Sequence, residues 1–227
     1  MWDRKLVNTM PKFNPNQYSL ALHTTTPQLG ISIGNYAGDS RSQLWDLDRD
    51  LSTHLHQYLI EFLQPQTWQD LSLIAVAKGP GSFTSTRIGV VTARTLAQQL
   101  NIPLFAISTL AAVAWSERAN SSPETLMAIQ MDASRGQLFA AIYQVAPGGS
   151  GLIEHLPDTV MTPEAWQQTL DNLATSYKQI HTPAKLGITA DSLLKIAYLD
   201  WQQGKRPHWS EVLPFYGQHP VWVIPIF

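Results

Sequence analysis

Leu71-Ser72-Leu73-Ile74-Ala75-Val76-Ala77-Lys78-Gly79-Pro80-Gly81-Ser82-Phe83-Thr84 is the stretch whose reading decides the fold of this chain. Its first seven residues are almost wholly apolar, and such runs belong to strands covered on both faces. Two glycines around a proline then turn the chain, and helical spacing sets in from Phe83 to Leu100. A buried strand that passes through a tight turn into a helix is the unit of an α/β protein.

The pattern extends in both directions. Upstream, Tyr18 to Leu22 and Gly30 to Gly34 read as a hairpin around the turn His23-Thr24-Thr25-Thr26-Pro27, and Arg41 to Leu47 reads as a third strand. Leu51, Leu55, Leu59, Phe62 and Leu63 recur at helical spacing until Pro65 ends the pattern. Downstream come a strand from Pro103 to Ile107, a helix from Thr109 to Trp115, and strands Leu126 to Met131 and Gln137 to Val145 around the turn Asp132-Ala133-Ser134-Arg135-Gly136. Thr162-Pro163-Glu164 has the cap, first-turn proline and early acid of a helix start, and Ala190 to Gln203 reads as a helix stopped by Gly204. The order hairpin, helix, strand, helix thus recurs in a weaker form. It predicts two α/β lobes, residues 18–107 and 108–227, behind a mobile extension 1–17, with the C-terminal tail available to complete the first lobe.

Composition narrows the function. The chain has 227 residues, 44% hydrophobic and 14% charged, with 15 basic and 17 acidic side chains and a net charge of -2. Without a basic excess, nucleic acid is not expected as a ligand held by this chain alone. Zero cysteines exclude a disulfide framework, a thiolate metal site and a cysteine nucleophile. No apolar run reaches 18 residues, so no membrane span is predicted and a cytoplasmic protein is expected. Low charge beside 8 Trp, 7 Tyr and 7 Phe fits either an aromatic core or a surface covered by a partner.

Two constellations carry possible chemistry. Gly79, Gly81, Ser82 and Thr84 lie at the start of a helix, where free N–H groups and hydroxyls favour an anion such as phosphate. The same residues fit a capped strand-to-helix turn equally well, and they match neither a P-loop nor a dinucleotide fingerprint. Along the helix, Ser85, Gly89, Ala93 and Ala97 recur every four residues as a stripe poor in side chains. That stripe suits packing on the Leu55, Leu59 and Phe62 helix, or a helix-on-helix interface with another subunit. The expectation carried forward is the interface, formed by these seven residues.

Gly79-Pro80-Gly81-Ser82-Phe83-Thr84, Arg87-Ile88-Gly89, Ala97 and Ile107-Ser108-Thr109-Leu110 closely resemble the TsaB (YeaZ) family, with His54, Leu59, Asp132-Ala133, Arg135-Gly136 and Gly204-Lys205 adding to the likeness. The resemblance implies a two-lobed actin-like (ASKHA, ribonuclease H-like) fold with mixed sheets flanked by helices. It further implies a non-catalytic dimerising subunit, homodimeric when alone, that supports the catalytic paralogue TsaD in making threonylcarbamoyladenosine in tRNA. A TsaE-type ATPase would dock on that pair, and tRNA would be met only through the complex. No cofactor is implied.

The chain departs from that family at several places. His23 stands where an acid usually follows the first strand, Ser85 replaces a glycine, Gln137 an acid, and Gln218 lies near the place of a late arginine. A neutral imidazole does not replace a hard carboxylate for magnesium. His54 and His56 are two apart on a helix and point to different faces, unlike the four-residue histidine spacing of the catalytic paralogue, so no metal site is expected. The alternative function is a small nucleotide-binding ATPase or kinase-like enzyme that uses the Gly79 to Thr84 loop.

Overall fold

The computed structural model describes residues 14–217, so most of the expected N-terminal extension, Gln218 and the end of the aromatic tail lie outside it. The first sheet is built from β1 (Tyr18–His23), β2 (Gln28–Gly34), β3 (Ser40–Asp46), β4 (Leu71–Ala77) and β5 (Leu104–Ile107), in the order β3-β2-β1-β4-β5. β1 pairs antiparallel with β2 and parallel with β4, so the sheet is mixed. Helices α1 (Leu51–Leu63) and α2 (Phe83–Leu100) flank β4 in sequence.

The second sheet contains β6 (Leu126–Asp132), β7 (Leu138–Val145), β8 (Leu152–Met161) and β9 (Tyr177–His181), in the order β8-β7-β6-β9. Its antiparallel pairs and its parallel β6–β9 pair repeat the first four strands of the other sheet. Helices α3 (Thr109–Glu117), α4 (Pro163–Asp171) and α5 (Ala190–Gln202) complete the chain.

Alternation along β4 explains the layering. Leu73, Ala75 and Ala77 point into a core that also holds α3, α5 and one face of the second sheet through Met127, Ile129 and Ala141. Ile74 and Val76 point the other way, into a core closed by α1 and α2. A third core beneath the outer face of the second sheet is filled by Trp166 and Leu170 of α4. The run around Leu71 is covered on both faces, as its composition requires.

The helix and strand expectations up to Val145 hold to within a residue or two at most ends. β8 and β9 were not anticipated. β8 is a partly exposed edge strand interrupted by Pro157, and β9 is an exposed edge with one apolar residue, Ile180, beyond its tyrosine, so neither shows a clear period.

Candidate functional site

The loop after β4 is stitched to its surroundings by its own backbone. Gly79 takes φ +104°, and its carbonyl accepts from the Thr109 N–H at 2.8 Å. Gly81 takes φ +153°, and a Cβ there would stand 2.2 Å from the Thr25 carbonyl oxygen. The Ser82 N–H donates to that same carbonyl at 2.8 Å. One donor at the start of α2 is thereby committed to the β1–β2 turn. Ser82 Oγ is the helix cap, accepting from the Ser85 N–H at 3.5 Å, while Thr84 is exposed. The capped-turn reading therefore describes Ser82 well.

This loop forms one wall of a cleft of about 670 Å³ between the two sheets. Thr25, Gly81 and Ser82 line it from one side, Asp132, Arg135 and Phe139 from the other. Asp132 is 3.2 Å from His181 Nε2, so its partner is that histidine, a contact spacing did not reveal. Behind the loop, His23 is fully buried and neutral, because burial pushes its pKa down to about 3. Its Nε2 lies 3.5 Å from Thr25 Oγ1, which in turn shares a 3.0 Å hydrogen bond with Thr109 Oγ1.

The small-residue stripe is placed differently from the interface expectation. Gly89, Ala93 and Ala97 are buried, and the last two sit in the core between the first sheet and its helices together with Leu55, Leu59 and Phe62. Gly89 admits Thr24 of the β1–β2 turn: a Cβ on it would lie 2.0 Å from Thr24 Oγ1. Ser85 is half-buried beside its cap. Within the chain, Gly89, Ala93 and Ala97 are thus covered by its own residues, while Ser85 is half-buried and Leu59 reaches the surface groove described next. A leucine at position 89 would have to displace Thr24, so it would perturb the monomer as well as any interface.

Beside the stripe, the same two helices leave an apolar groove of about 490 Å³ open. Ile60 is 56% exposed and Val91 58% exposed, with Ile88, Leu96 and Trp68 alongside and buried Leu59 at its floor. His56 and Arg87 stand in the lining, while His54 leans on Tyr58 with ring centroids 5.8 Å apart. Ile60 and Val91 escaped the periodicity argument because each follows a buried apolar residue. The available signal was an apolar side chain just outside the core stripe of an amphipathic helix.

Residues 52–192, more than half of the chain, match the family model of TsaD, tRNA N6-adenosine threonylcarbamoyltransferase. The tRNA threonylcarbamoyladenosine biosynthesis protein TsaB of Bacillus subtilis (strain 168) is 43% identical over 103 residues, 45% of this chain and 42% of that protein. The protein of the same name from Escherichia coli (strain K12) is 34% identical over 116 residues, 50% of this chain and 48% of that protein. The chain thus spans under half the length of these curated relatives. YeaZ from Pseudomonas aeruginosa shares the fold, with a TM-score of 0.70 at 21% identity over 88% of this chain and 99% of its own. The two-lobed α/β architecture with mixed sheets is therefore that of YeaZ, and among the described residues no helix is long and apolar enough to cross a membrane. With a family model covering most of α1 through α5 and relatives that agree with it, the chain belongs to the TsaB (YeaZ) group of the TsaD family.

Proposed function

We propose that this protein is a non-catalytic subunit that supports a TsaD-type catalytic paralogue in making threonylcarbamoyladenosine in tRNA. The α1/α2 groove is the docking face for that paralogue, or for a second copy when the paralogue is absent. A TsaE-type ATPase joins the pair, and tRNA is engaged through the complex. The observation that carries this reading is the groove itself: Ile60 and Val91 hold more than half their surface in solvent, side by side with other apolar residues. Contiguous apolar surface of this kind marks contact with a partner. Burying it contributes about 25 cal/mol per Å², less the ordering cost of association.

The test is light scattering after gel filtration of the protein mixed with the TsaD-type paralogue of the same organism. Wild type should co-elute as a heterodimer, and Ile60→Glu combined with Val91→Glu should elute alone while melting as wild type does. Unchanged co-elution of the double variant would place the contact elsewhere.

A second reading, a nucleotide-binding enzyme, draws on the cleft beside Gly81 and Ser82. Against it stands His23, buried and neutral where a carboxylate would be needed to hold magnesium. Calorimetry with ATP and magnesium separates the two: heat of binding and measurable hydrolysis would favour the enzyme.

A further inference from the structure

Arg87 lines the apolar α1/α2 groove and is exposed. Its guanidinium carbon lies 5.4 Å from the centroid of the Phe83 ring, one turn earlier on α2, and Phe83 is in turn set against Tyr216 with ring centroids 5.2 Å apart. Attraction to the ring face fixes where the guanidinium sits without using its N–H donors. Among the described residues Arg87 forms no ion pair, so a planar fork of donors is held in place beside an apolar surface with no carboxylate on it.

The two helices offer it no acid. The groove lining includes His56 and Arg87 but neither Asp nor Glu. Helix α2 carries Arg87 and Arg94 and no acid along its whole length. Asp50, two residues before Ser52, and Glu61, nine residues after it, fall on the other side of α1 from that lining residue by helical spacing, and Glu61 accepts from Gln57 Nε2 at 2.9 Å. Asp70, two residues beyond Trp68, is engaged by the Thr67 N–H at 2.7 Å and the Thr67 hydroxyl at 2.9 Å. The groove is therefore cationic on a chain whose net charge is -2.

We propose that the occupant of this groove is an apolar helix of a different chain that carries an Asp or Glu, its carboxylate taking the Arg87 guanidinium through two parallel N–H···O bonds while its apolar side chains cover Ile60 and Val91. The inference deepens the docking reading given above and rests on it. A carboxylate matches the guanidinium fork in shape as well as charge, and a groove between two helices suits a third. A second copy of this chain is a poorer occupant, because its own groove brings the same arginine and no acid, and like charge then opposes like. Arg87 thus selects the unlike partner over a second copy.

Calorimetric titration of the full chain with the TsaD-type paralogue of the same organism, at about 50 and 500 mM salt, tests it. Wild-type affinity should fall with salt. Arg87→Gln should bind at least about tenfold more weakly at the lower salt, with a flatter salt response, while melting as wild type does. Self-association of Arg87→Gln, followed by light scattering, should equal or exceed that of wild type. Wild-type affinity for the paralogue in Arg87→Gln, a wild-type affinity indifferent to salt, or self-association lost in Arg87→Gln would each overturn the inference while leaving the docking reading in place. Should the wild-type chain fail to bind the paralogue at all, the docking reading falls and this inference falls with it.

Discussion

Gly89 in the middle of α2 and Thr24 in the β1–β2 turn approach so closely that a methyl group on the glycine would sit 2.0 Å from the threonine hydroxyl oxygen. The helix is therefore fixed against the loop that follows the first strand, and the glycine is there to admit a side chain from its own molecule.

Gly89→Ala is expected to lower stability by about 1 to 3 kcal/mol, as overpacking of a close-fitted contact does. Thr24→Ala in the same chain removes the clashing hydroxyl and should restore part of that loss, since the remaining Cβ contact lies at 3.0 Å. Chemical denaturation of the two single variants and the double variant reads the coupling. Independent, additive losses would contradict the contact.

Adjacent positions on α1 should behave oppositely. Leu59 is 2% exposed and Ile60 56% exposed. Leu59→Ala is expected to cost about 2 to 5 kcal/mol through the cavity it leaves, and Ile60→Ala no more than about 0.5 kcal/mol in the isolated chain. Thermal melts compare them directly. A large loss at Ile60 would mean that the groove is filled within the monomer.

Two buried titrating groups oppose each other in the response to pH. His23 is pushed down to about 3 by burial, so the unfolded chain binds a proton below about 6.5 that the folded chain refuses, and stability falls as pH drops from there. Asp158 is pushed up to about 6, chiefly by burial, so the folded chain holds its proton more tightly and stability rises as pH drops from about 6 towards 4. Each slope is on the order of 1 kcal/mol per pH unit. Relative to wild type, His23→Leu should gain stability as pH falls from 6.5 to 4.5, and Asp158→Asn should lose it. Variant and wild-type melting curves that stay parallel across this range would contradict both assignments.

Much of the first half was legible because its signals are local. A run such as Leu71 to Ala77 has one good solution, a strand covered twice, and Pro65 and Asn101 mark helix ends by their own stereochemistry, the latter in the left-handed region at φ 51°. The family was legible from the loop and helix that follow. What remained hidden depended on what lies across the core. Ser85, Gly89, Ala93 and Ala97 form a smooth stripe whether a foreign helix or the chain's own turn covers it, and spacing alone does not choose. Likewise, Asp132 pairs with His181, forty-nine positions away, through the parallel β6–β9 register, which brings Gln130 opposite His181. β8 and β9 were missed because edge strands carry polar faces.

The helices α3 and α5 are sandwiched between two sheets of matching strand order, so the two halves share one interior and should unfold together. Produced separately, fragments cut between Ile107 and Ser108 would each expose half of that shared interior and should aggregate. Produced together, they should reassemble into a species that melts in a single transition.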